Sequence, residues 1–168
     1  MDEDAFWELI ALSKAKMTPR LSDQAEMLQA ELERLPPDQI ATFDAIFWRL
    51  HREAYRWDLW GAAYVIGGGC SDDAFMDFRA GLIGLGRKAY YAALADPESL
   101  ADQPRHGVDF FQEGLLGSAM YAHRRVIGHD LPDKPAGPWP PEEPGGRRWH
   151  EDELGVLFPR LTAKYDAT

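Results

Sequence analysis

The sequence has 168 residues, a single cysteine and a formal net charge of −10, with 45% hydrophobic and 12% aromatic residues. A chain of this size buries one sizeable core without covalent staples, and one cysteine excludes both an intramolecular disulfide and a multi-cysteine zinc site. The acidic opening Met1-Asp2-Glu3-Asp4, the lack of an apolar run of about 18 residues and the acidic balance argue against a secretory signal, a membrane span and a phosphate-backbone partner; a cytoplasmic protein is expected, with neither nucleic acid nor membrane as partner.

Phe6, Leu9, Ile10 and Met17 follow helical spacing over residues 2–16, with Asp2, Glu3 and Asp4 at the positive end of the helix dipole and Thr18-Pro19 as the stop. A second helix starts at the capping candidate Ser22 and runs Ala25, Leu28, Leu32, Leu35 to Pro36-Pro37. A third opens at Asp38 and repeats Ile40, Phe43, Phe47, Leu50 and Ala54, which leaves Asp44, Arg49, Arg52 and Glu53 for solvent. Trp57 to Ile66 is a short apolar helix closed by Gly67, Gly68 and Gly69.

Ser71 caps the next helix, with Asp72 and Asp73 in its first turn and Phe75, Phe78, Leu82 and Leu85 as its buried stripe. Gly84 and Gly86 end or bend it, residues 87–94 continue as another piece, and Asp96-Pro97-Glu98-Ser99-Leu100 turns into one short helical turn. Phe111, Leu115, Ala119, Ala122 and Val126 trace a helix over residues 108–127, stopped by Gly128. Leu131 to Gly146 holds six of the twelve prolines and reads as an extended arm, bearing Trp139. Leu154, Leu157, Phe158, Leu161 and Tyr165 recover helical spacing, with Pro159 opening a new turn. The pattern predicts an all-α protein: one compact multi-helix domain over residues 1–168, with a helical core at 2–128, the arm at 131–146 and a tail at 150–165 that packs back.

The densest stretch is Trp57-Asp58-Leu59-Trp60-Gly61-Ala62-Ala63-Tyr64-Val65-Ile66-Gly67-Gly68-Gly69-Cys70-Ser71-Asp72-Asp73, followed by Phe75, Phe78 and Arg79. It resembles the signature of the bacterial family catalogued as domain of unknown function 4240, above all in Gly68-Gly69-Cys70-Ser71-Asp72-Asp73. The likeness extends to Phe6-Trp7-Glu8-Leu9-Ile10, Leu82-Ile83, Gly86, Asp96-Pro97-Glu98-Ser99-Leu100 and Leu157-Phe158-Pro159-Arg160-Leu161. Gly67 stands where that pattern has asparagine, and Ala74 where it has glycine. The resemblance implies no activity, substrate or catalytic residue.

A glycine loop ahead of a helix can cradle an anion, yet this one has no lysine or arginine, and Asp72 and Asp73 already meet the helix dipole, so a capped structural turn is favoured. Cys70 is a nucleophile only if a partner such as His51 or His123 lies near it in space, and a small buried cysteine is the simpler reading. Asp72, Asp73 and Asp77 make a thin case for a cation, and the five histidines show no zinc spacing, so neither metal nor cofactor is expected. Trp57, Trp60 and Tyr64 with Phe75 and Phe78 are core or line a pocket with Asp58 or Arg79. Trp139 and Trp149 belong to a recognition segment or to a strap, with the strap favoured. The candidate ligand or partner site is thus Trp57, Asp58, Trp60, Tyr64, Gly68, Gly69, Cys70, Ser71, Asp72, Asp73 and Arg79. The leading reading is a small acidic intracellular protein-binding or regulatory module; the alternative is a small-ligand binder or enzyme with a site at the Trp57–Asp73 motif.

Overall fold

The computed structural model describes residues 1–18, 23–132 and 143–165. Helix α1 (Glu3–Ala15) begins at Asp2, whose carboxylate accepts the Ala5 N–H at 2.9 Å, and it buries Phe6, Trp7 and Ile10. Helix α2 (Gln24–Leu32) is capped by Asp23; the predicted cap Ser22 and stop Pro19 lie outside the described residues. Helix α3 (Pro37–Glu53) starts on the proline pair, where a missing N–H costs nothing, and its whole predicted stripe is buried. Asp44 departs from expectation. It is buried and accepts the Trp48 indole N–H at 3.0 Å, because α3 runs against α1, α5 and α7 and has more than one covered face.

Helices α4 (Trp57–Gly67), α5 (Asp72–Gly84) and α6 (Arg87–Ala95) follow, then a 3-10 helix at Pro97–Asp102, α7 (Glu113–Ile127), α8 (Leu154–Leu157) and α9 (Pro159–Tyr165). The predicted start of α7 at residue 108 is wrong by five residues. Phe111 carried the helical period there, but it is held in a loop against Phe78 at 5.5 Å, and the Gln112 N–H donates to the Asp77 carbonyl at 3.1 Å. Helix α7 packs on α2, α3 and α5, while α9 returns to lie on α4 and the 3-10 helix. The architecture is all-α in one compact domain, with no strand among the described residues; Arg56 and Gly145 form an isolated bridge. None of the described helices is long and apolar enough to cross a membrane.

The first turn of α1 is tied to α3 and α6 by one carboxylate. Glu3 accepts from the Tyr91 hydroxyl at 2.5 Å, the Trp7 indole at 3.1 Å and Arg49 at 2.6 Å. The Tyr91 bond first, then Trp7 and Arg49, hold it at about 2 against an ordinary 4.5. A depressed folded value means stability that is present above pH 4.5 and lost as pH falls toward 2. With solvent screening at this partly exposed site, Glu3→Gln is expected to cost about 1 kcal/mol at pH 7. Urea melts of the two proteins are expected to converge as the pH falls through that window.

Candidate functional site

The glycine turn is built by backbone angle. Gly68 ends α4 with φ 65° and Gly69 follows at φ 126°; both N–H groups turn back to the Tyr64 carbonyl, the second at 2.9 Å. A Cβ at either position would meet nothing within 4 Å, so it is the left-handed conformation, and not crowding, that requires glycine. The Ser71 hydroxyl accepts the Ala74 N–H at 3.2 Å as predicted, with Asp72 and Asp73 exposed in the first turn of α5. The turn's own caps thus take up the Gly68, Gly69 and Ala74 N–H groups.

Behind it stands an aromatic stack. The Trp60 ring lies 5.2 Å from Trp57 and 4.9 Å from Phe75, nearly parallel to both, and its N–H donates to the Cys70 carbonyl at 3.0 Å. The returning tail covers the outer side: the Trp149 N–H donates to the Trp57 carbonyl at 2.6 Å, its ring meets Tyr64 edge-on at 5.3 Å, and the Tyr64 hydroxyl bonds Glu151. Trp149 therefore acts as a strap; Trp139 lies outside the described residues. Cys70 is half-buried, and burial pushes its thiol up to about 11, with Asp77 and Asp72 adding in the same direction. The nucleophilic thiolate is suppressed here.

Asp58 and Arg79, expected to supply convergent polar groups, are engaged by different partners. Asp58 is half-exposed, pairs with Arg56 and accepts the Leu59 N–H at 2.8 Å. Arg79 is buried and points at the C-terminus of α3, where its guanidinium donates to the His51 carbonyl at 3.1 Å and to His51 Nδ1 at 3.2 Å. His51 Nε2 lies 2.9 Å from the Met76 carbonyl. Since a carbonyl only accepts and a guanidinium only donates, these contacts assign the His51 proton to Nε2. Arg79 also lies over the rings of Tyr55 at 4.7 Å and Phe75 at 5.0 Å, and burial lowers it to about 10. His51 follows Phe47 by four residues on α3, a spacing that could have placed it facing inward but could not have named Arg79 as its partner.

The sequence groups Asp72, Asp73 and Asp77 on α5; what it misses is that Asp109 and Glu113 join Asp77 from the α7 approach. None of the ion pairs among the described residues reaches any of the five. Burial, then the charges of Glu113, Asp73 and Asp109, push the Asp77 carboxyl above its ordinary value. A groove of about 550 Å³ adjoins the start of α7, lined by Asp109 and Glu113 together with Lys14, Gln24, Gln112 and the C-terminal end of α5 at Gly84. No described group of three or more His, Cys, Asp or Glu residues is placed to hold a metal ion.

The family profile described as "Protein of unknown function (DUF4240)" matches residues 1–125. The chain belongs to this family. The DUF4240 match takes in the glycine turn, the aromatic stack, the buried Arg79 and the whole acidic face, and it ends two residues before α7 does. The tail that straps α4 lies beyond it. No curated protein and no solved structure matches the chain.

Proposed function

We propose that this DUF4240 protein is a small binding module that engages the basic surface of another protein through the acidic face at the N-terminal ends of α5 and α7. The observation that carries this reading is a cluster of like charge around Asp77: the Gln112 N–H bond to the Asp77 carbonyl holds the α7 approach against α5, and Glu113, Asp73 and Asp109 repel the Asp77 carboxylate. No ion pair among the described residues reaches these four or Asp72, whereas Arg49, Arg87, Arg56, Arg160 and Arg147 each neutralise carboxylates elsewhere. A cationic partner relieves that repulsion and is steered by it, and the neighbouring groove gives a basic side chain a place to enter. A cytoplasmic setting belongs to the same proposal, in keeping with a lone unpaired cysteine.

The cost of such a face is measurable in the protein alone. A folded carboxyl value raised above the ordinary 3.8 means that Asp77 binds its proton more readily in the folded state, so stability falls as pH rises through that window. Asp77→Asn removes the penalty and is expected to stabilise by roughly 0.5 kcal/mol, raising the melting temperature by about 1–2 °C at pH 7. The binding reading itself is tested by capturing partners from the protein's own cell extract at low and high salt. A protein retained at low salt and released above the screening range supports it; capture indifferent to salt speaks against it.

A further inference from the structure

We infer that residues 143–165 form a displaceable strap, latched at Glu98, whose opening uncovers the outer face of α4 without unfolding the core. The strap's helices α8 and α9 have four and seven residues, too short to persist by themselves. They hold by docking. Phe158 and Trp149 press on α4 at Gly61, where an added Cβ would come within 2.5 Å of the Phe158 ring and 3.0 Å of Trp149 Nε1. Glu98 caps the N-terminus of α9 from the 3-10 helix: its carboxylate accepts the backbone N–H groups of Arg160 at 2.9 Å and Leu161 at 3.0 Å. Arg160 then reaches Asp102 at the end of the same helix. The closed state is a cap borrowed across the fold.

Two observations show that this closed state is poorly satisfied. The Thr162 Oγ1 and Tyr165 hydroxyl, both on α9, are buried with no hydrogen-bond partner among the described residues, a cost that is recovered when α9 lifts away into water. Val156 is 83% exposed and Leu157 41%, so α8 spends much of its apolar surface on solvent. Of the buried core, Leu154, Phe158 and Leu161 come from the strap. The other core side chains belong to residues 6–122, where Leu59, Ala62 and Ala63 bury the inner side of α4 and Trp60 stacks on Phe75. The uncovered face would accept a segment that offers what the strap offers: an aromatic ring for the Gly61 notch, free helix N–H groups for Glu98 and a cation for Asp102. The fold thereby carries a covered docking surface whose resident is its own C-terminal segment.

Native-state hydrogen exchange on the full chain tests this. The Leu161 and Thr162 amides are expected to exchange about 100-fold faster than those of α3, through an opening smaller than global unfolding. Glu98→Ala is expected to speed the α9 amides about tenfold further, as loss of a charge-assisted cap would. Gly61→Ala gives a second, independent wedge: alanine favours the α4 helix itself, so the tail loosens while the melting temperature of the core holds or rises. Tail amides that exchange at the α3 rate would overturn the inference, as would either variant speeding tail and core alike or leaving the tail unchanged.

Discussion

Replacing Arg79 with alanine is expected to destabilise the protein by about 3 kcal/mol in a denaturant melt, the range of a large buried truncation that also strands hydrogen-bond acceptors. The last carbonyls of a helix lack intrahelical partners, and α3 ends inside the core. Its Leu50 carbonyl takes the Tyr90 hydroxyl at 2.6 Å, and its His51 carbonyl takes Arg79. The guanidinium therefore satisfies an orphan carbonyl, places a cation at the negative end of the α3 dipole and fixes the His51 tautomer through Nδ1. Alanine removes all three and leaves a void between Tyr55 and Phe75. Arg79→Met refills the volume without the donors and is expected to recover only part of the loss. A cost below about 1 kcal/mol for Arg79→Ala, within the scatter of surface substitutions, would detach Arg79 from this structural role and return it to the list of site residues.

The second large effect is expected at Gly81 on α5. A Cβ built there would sit 2.1 Å from the Phe110 carbonyl oxygen and 2.5 Å from its carbon, both backbone atoms that cannot swing aside. The loop must move, and with it Phe110, Phe111 and the Gln112 N–H that bonds Asp77. Overpacking of this kind costs typically 1–3 kcal/mol, and the backbone location puts Gly81→Ala at about 3 kcal/mol. The same displacement would shift Asp109 relative to Asp77, so this variant is expected to weaken partner capture beyond its effect on stability. Near-normal stability would mean that the close approach of loop and helix is not required.

Much of this fold is legible in the sequence because the helices announce themselves. The α3 stripe, the Ser71 cap, the Gly128 stop and the Pro159 start all follow from periodicity and from the backbone limits of proline and glycine. The errors come from tertiary contacts. Phe111 has the right spacing for α7, but its ring is claimed by Phe78 from a loop, and Asp44 is polar on a helix whose back is covered as well as its front. The site reading divides along the same line. Trp57, Trp60, Tyr64, Gly68, Gly69, Cys70 and Ser71 are neighbours through one helix and one turn, a proximity that sequence carries. Asp58 pairs with Arg56 two residues before it, also a local contact, whereas the His51 partner of Arg79 is set by the packing of α3 on α5. The acidic face was only partly visible for a related reason: Asp72, Asp73 and Asp77 stand together in sequence, but Asp77 and Glu113 are 36 positions apart, and only the packing of α5 on α7 brings their charges together.

The most direct test of the account compares wild type with the Asp73→Asn, Asp77→Asn, Glu113→Gln variant in side-by-side capture from cell extract at low salt. The account predicts that the variant is folded, melts no lower than wild type and loses the salt-sensitive protein that wild type retains. A variant that keeps the same partner in the same amount would contradict it.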